Sequence, residues 1–213
     1  MTAPRPLLRP RATARPLARA ALALVLLLPL VGCYLPVWFD AEVRISRQGY
    51  YDALFDGYLI SLPFASDLAA GKLGAGQEKD ESAKVVADLK RDSAVTQADY
   101  VRKGRFKVHW ARKGDIIRQK MMTFVRRNEQ ILSLKYVKTT GMLTLEGRSL
   151  RGSDIQRLRQ QGFTVQGELR VITPAAVASH NAQKVVRKGF DHIYVWKIKD
   201  WGDPAPKLDI RMR

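Results

Sequence analysis

Residues 39–61 read FDAEVRISRQGYYDALFDGYLIS, and their alternation decides the fold class. Phe39, Ala41, Val43 and Ile45 fall on one face, while Asp40, Glu42, Arg44 and Ser46 fall on the other. That two-residue period is the mark of a half-buried strand. Arg47-Gln48-Gly49 supplies a turn, and Tyr50 to Ser61, rich in Tyr, Phe and Ile, reads as the hairpin partner.

Working outward, Gly71, Gly74 and Gly76, followed by Gln77 to Glu81, read as a mobile polar loop. A short helix is expected over Glu81 to Lys90, with Val85, Val86 and Leu89 as its apolar stripe. Alternation returns at Phe106, Val108 and Trp110, set against Arg105, Lys107 and His109, and Lys113-Gly114-Asp115 reads as the next turn. Met121 to Val125 and Gln130 to Val137 follow as strands, and Thr140-Gly141 leads into Met142 to Leu150. Ser153-Asp154-Ile155-Gln156 has the form of a capping box, with Ile155 and Leu158 inward and Gly162 at the helix stop. Glu168 to Thr173, Ile193 to Lys199 and Lys207 to Met212 are extended. The expected fold is α+β, an antiparallel β-sheet of about eight strands with two or three short helices.

The N-terminus carries a different message. Arg5, Arg9, Arg11, Arg15 and Arg19 precede an apolar run from Ala20 to Val31, and no acid occurs before Cys33. A basic region, an apolar region and a small residue at the cut make an export signal. Leu30-Val31-Gly32-Cys33 resembles a lipobox, which implies cleavage between Gly32 and Cys33 and acylation, palmitate included, of Cys33. Two or three acyl chains anchor stably, whereas one is marginal. The organisation is then a signal peptide over 1–32 and a soluble envelope domain over 33–213. An uncleaved signal anchor competes, because Ala20 to Phe39 is uncharged and long enough to span a bilayer. Pro29, Gly32 and Pro36 make poor helix interior and argue against it. Tyr34 follows the cysteine where Asp would favour inner-membrane retention, so the periplasmic side of the outer membrane is expected over the outer face of the plasma membrane.

Cys33 is the single cysteine, which excludes an intramolecular disulfide. Removing residues 1–32 takes the net charge from +17 to +12. A basic envelope domain favours acidic lipids, glycolipids or wall polymers, and outside the cytoplasm nucleic acid is not expected as a physiological ligand. The charge is concentrated: residues 102–127 hold ten Lys or Arg against Asp115 alone. The candidate membrane- or ligand-binding residues are Arg105, Lys107, His109, Arg112, Lys113, Arg126 and Arg127. The competing reading is a solvated strand face.

Chemistry-bearing motifs are few. His109, His180 and His192 lack the i, i+4 spacing and cysteine partners of a metal site. No G-x-S-x-G occurs, and the glycines at 71, 74 and 76 lack the Lys-Ser/Thr of a phosphate loop. Neither catalysis, metal nor cofactor is expected. Ser179-His180-Asn181 either contacts a headgroup or closes a turn. Tyr194 and Trp196 line a cavity or pack as ordinary core. Trp201, in Asp200-Trp201-Gly202-Asp203-Pro204, is a large ring in a loop and joins the candidate contact residues.

Three C-terminal stretches carry a family resemblance: Gly-Glu-Leu-Arg-Val-Ile-Thr-Pro from Gly167, Val-Ala-Ser-His-Asn-Ala over 177–182, and Tyr-Val-Trp-Lys-Ile over 194–198. With the lipobox and the strand pair after it, they resemble the LppM-like lipoprotein domain. The resemblance implies a lipid-anchored envelope domain that binds hydrophobic ligands, with acidic glycolipids among them. The expected function is therefore non-catalytic binding of acidic lipid or glycolipid by a basic surface and apolar cavity. The alternative is a structural or scaffolding lipoprotein that binds a protein partner or acidic wall polymer.

Overall fold

The computed structural model describes residues 34–125 and 131–212. The opening hairpin forms as the alternation requires: β1 (Tyr34–Ile45) and β2 (Tyr50–Ser61) pair antiparallel along their whole length, with Gly49 at φ +90° in the turn. Ala41, Val43 and Ile45 are buried, as are their partners Phe55, Ala53 and Tyr51. The strands β3 (Val95–Arg102) and β4 (Arg105–Asp115) extend the sheet beyond β2. On the other side of β1 come β8 (Gln166–Thr173), β11 (Asp191–Ile198) and β10 (Lys184–Lys188). A second, five-stranded sheet runs β5 (Met121–Thr123), β6 (Ser133–Val137), β7 (Met142–Glu146), β12 (Lys207–Arg211) and β9 (Ala176–His180).

The helices are α1 (Leu62–Ala69), α2 (Ala75–Lys90), α3 (Ile116–Gln119) and α4 (Gly152–Gln160). The described residues thus form twelve strands in two sheets and four helices, more than the eight strands expected. The pairing is antiparallel throughout except for β1 with β8, which is parallel. Those two strands are far apart in sequence, and a parallel neighbour requires a crossover, here everything between β1 and β8.

Several local expectations fail for identifiable reasons. Gly76 and Gln77 to Glu81 lie in the first turns of α2, not in a mobile loop. Gly74 is the N-cap, and the Gln77 side chain accepts from its amide at 3.0 Å, so the glycines occupy the helix start where their cost is low. Lys113-Gly114-Asp115 continues β4, and the chain turns one residue later. There the Asp115 carboxylate caps α3 by accepting from the amides of Ile117 and Arg118. The Ser153–Gln156 capping box does not form: α4 starts at Gly152 with Arg151 as N-cap and no side-chain cap bond. Gly162, at φ +72°, does follow its C-terminal end. The strand from Met142 ends at Glu146. The strands β3, β9 and β10 and the helices α1 and α3 are not foreseen in the sequence.

One core fills the space between the sheets. Val43, Phe55, Phe106, Val108, Leu169 and Trp196 from the larger sheet share it with Leu134, Leu143, Leu145, Leu208 and Ile210 from the smaller. Trp110 stacks on Phe124 at 4.7 Å. A bulge between Pro36 and Trp38 shifts the register of β1. Tyr34 consequently joins the main core, while Leu35 and Val37 join a second cluster with Ile60, Ala65, Leu158 and Phe163.

Candidate functional site: an inter-sheet cavity and two charged faces

Between the sheets lies an apolar cavity of about 120 Å³. Phe39, Ala41, Phe55, Phe124, Leu132 and Leu169 belong to its lining, and Arg148, Ser149, Asp200 and Asp203 add polar groups. Phe39 stacks on Phe55 at 5.9 Å and forms part of the wall. The volume matches a chain terminus or one ring, well below the 300–1,000 Å³ of pockets that bury a drug-sized ligand.

Trp201 lines the same cavity and is half-buried. Its indole N–H donates to the Phe163 carbonyl at 2.9 Å, and the ring packs on the second cluster. The loop is therefore pinned. Asp203 accepts from the amides of Lys199 and Asp200, and Asp200 accepts from Gly202 N and from Arg159 at 2.5 Å. These bonds, the Gly202 amide first and Arg159 next, hold the Asp200 carboxyl below its usual range.

The cationic strand has the alternation expected of it: Phe106, Val108 and Trp110 are fully buried, and Arg105, Lys107 and His109 point the other way. The pairing register, however, sets acids of β2 beside those bases. His109 lies opposite Asp56 and Lys113 opposite Asp52. Asp56 bonds Lys107 and sits 3.1 Å from His109 Nδ1, and Lys113 reaches Asp52 at 2.7 Å. The Lys107 hydrogen bond, and His109 after it, keep the Asp56 carboxyl below its usual range against the opposing effect of burial. Next to them Arg170 binds Asp40, Glu42 and Glu168, and these carboxylates, Asp40 foremost, raise the guanidinium pKa further. This face is a ladder of cross-strand ion pairs.

Arg112 does not belong to that face. It pairs at 2.6 Å with buried Asp92, which also accepts from Trp110 Nε1 and Ala94 N, and its guanidinium lies over the Trp110 ring. Gly32, Cys33, Arg126 and Arg127 lie outside the described residues.

Ser179-His180-Asn181 serves the fold. Asn181 Oδ1 accepts from Trp196 Nε1 and Lys207 N, its amide donates to the Ala205 carbonyl, and His180 Nδ1 accepts from Ala182 N. Tyr194 and Trp196 are buried in the main core. Among the described residues no cluster of three or more His, Cys, Asp or Glu could hold a metal, and no helix is long and apolar enough to cross a membrane.

The sequence reading missed Trp38. It is 57% exposed on β1, with its ring edge-on to Tyr58. One groove beside it includes Arg102 and Arg105, and another includes Lys197 and Lys199. Its position so near the apolar run was the signal that hid it.

No family model matches the chain, and no curated protein matches it. Among solved structures it is similar to the NMR structure of the folded domain of LppM from Mycobacterium tuberculosis, at 16% identity and a TM-score of 0.44. The match covers 82% of this chain and 89% of that one.

Proposed function

We propose that the chain is a non-catalytic, lipid-anchored lipoprotein of the cell envelope. It receives the apolar end of an acidic lipid or glycolipid in the cavity between its sheets. The observation that carries this reading is a cavity walled by Phe39, Phe55, Phe124 and Leu169 and edged by Arg148, Ser149, Asp200 and Asp203. A void of this kind favours an apolar occupant, and polar groups beside it orient a headgroup. Cys33 carries the anchor, and the outer membrane is the favoured location.

The test is mass spectrometry of lipid extracted from the purified full chain, with Ile198→Trp as a cavity-filling comparison. Extractable acidic lipid is expected with the native chain and is reduced by the substitution. The chain's own acyl groups stay covalently attached and are not confused with it. Absence of extractable lipid from the native chain would remove the ligand-binding reading.

A scaffolding role has its own supporting observation. The strand β10 is a sheet edge whose five residues are all exposed, with Val185 and Val186 set among Lys184, Arg187 and Lys188. An acidic extended segment of another protein could add to that edge.

A further inference from the structure

Within the basic stretch Lys107, Arg112 and Lys113 are paired in the sheet, and a separate group of cations gathers at one end of it. Arg102, Lys103, Arg105, Lys197 and Lys199 make no ion pair with a described residue. All five stand at the end of the larger sheet where β1 begins. Arg102 and Arg105 flank the β3–β4 turn, and Arg105 lies opposite Ile60 near the end of β2. Lys197 and Lys199 close β11, where Ile198 pairs with Gly167 at the start of β8.

Trp38 sits between these two groups. On one side its groove is completed by Val37, Tyr58, Val101, Arg102, Arg105 and Thr164. The groove on the other side includes Lys197 and Lys199, with Glu168 opposite Lys197 but bonded to Arg170. Val101, 49% exposed, adds a second apolar group. Arg105 is half-buried in that groove and makes no ion pair with a described residue.

We propose that this Trp38-centred surface docks on an anionic phospholipid bilayer. The indole and Val101 enter the interface, and lipid phosphates meet Arg102, Arg105, Lys197 and Lys199. An amphipathic indole ringed by cations is suited to the headgroup layer. Each cation near an anionic surface contributes about a fivefold gain in partitioning, falling off within a Debye length. The occupant is a bilayer rather than a soluble anion, because an exposed indole gains nothing from a free phosphate. The location also fits the anchor: Trp38 lies within roughly 17 Å of extended chain from residue 33. This inference deepens the envelope reading above but does not need Cys33 to be acylated.

The test uses the full chain carrying Cys33→Ser, which removes the single native cysteine so that each introduced cysteine is the one labelling site. An environment-sensitive fluorophore is placed at Val101→Cys or, as the comparison, at Phe190→Cys. Phe190 is 85% exposed in the β10–β11 turn, at the opposite end of β11 from Ile198. On vesicles of phosphatidylglycerol with phosphatidylcholine, the 101 label is expected to become apolar and quenchable by spin-labelled lipid, while the 190 label stays aqueous. Arg102→Glu with Lys197→Glu and Lys199→Glu, all at exposed positions, should abolish the response, and Trp38→Ala should weaken it. The proposal is overturned if the 101 label stays aqueous, if the 190 label is the one buried, or if phosphatidylcholine alone gives the same response. A 101 response to soluble polyglutamate without vesicles would also overturn it, by assigning the surface to an acidic polymer.

Discussion

Phe39 on β1 lies against Gly167 on β8, its direct partner in the parallel pair, with the ring where a side chain at 167 would stand. On the other flank Gly57 of β2 faces Phe39 in the same register, and a Cβ there would collide with the backbone of Trp38 and Phe39. The two glycines are what allow a phenyl ring to lie across three strands and stack on Phe55, forming part of the cavity wall.

Gly167→Ala should therefore destabilise the chain by about 1–3 kcal/mol through overpacking. Its φ is not in the left-handed region, so the cost comes from the ring and not from the backbone. Urea unfolding of Gly167→Ala, alone and with Phe39→Leu, checks this: the double variant should recover part of the lost midpoint. An unchanged midpoint for the single variant contradicts it.

Trp201→Ala is expected to cost about 2 kcal/mol, since it loses a half-buried ring and the bond to the Phe163 carbonyl. A ring displayed by the loop for contact alone would cost within about 0.5 kcal/mol. Trp201→Phe, which keeps the ring and loses the donor, should fall between native and Ala in thermal unfolding.

Arg112 is expected to act on stability, not on vesicle binding. Its removal leaves Asp92 buried beside Trp110 with one charged partner lost, which costs about 1.5–3 kcal/mol because Arg112 is partly exposed and Asp92 keeps its bonds to Trp110 and Ala94. Arg112→Ala should lower the unfolding midpoint strongly, while the folded fraction binds anionic vesicles as before. Reduced vesicle binding at unchanged stability would return Arg112 to the contact surface.

Acid should weaken the smaller sheet through Asp209. Its carboxylate accepts from Ser179 Oγ at 2.6 Å and Thr144 Oγ1 at 2.7 Å, joining β12 to both its neighbours. Those bonds, Ser179 first, lower its pKa in the folded chain. The unfolded chain then binds the proton more tightly, so the contribution is present above the ordinary carboxylate range and is lost as pH falls through the depressed folded value. Asp56, lowered by Lys107, behaves in the same sense. Unfolding midpoints measured from pH 6 downward should drop steeply for the native chain and less steeply for Asp209→Asn. Equal slopes would show that Asp209 does not titrate differently on folding.

The sequence by itself determined which residues are buried along single strands. A period of two follows from the backbone pleat alone, so the inward sides of β1 and β4, the turn end of β1 and the span of β2 were legible in residues 39–61 and 105–110, while the start of β1 at Tyr34 was not. Gly162 after α4 was legible for the same local reason: it adopts a backbone conformation that other residues rarely adopt. The expectation of an export signal ending at Cys33 likewise rests on local order alone. What only the tertiary structure decided is which strands stand side by side. That β8 lies against β1 depends on a crossover of more than a hundred residues, which no local pattern encodes. The charge ladder follows from the same pairing. Asp52 and Asp56 are distant in sequence from Lys113, His109 and Lys107, so the basic run looked uncompensated until β2 and β4 were set in register. The converse holds at Trp38: residues from β1, β2, β3, β4 and β11 converge on it only in three dimensions, because a surface is a property of neighbouring strands and not of one segment.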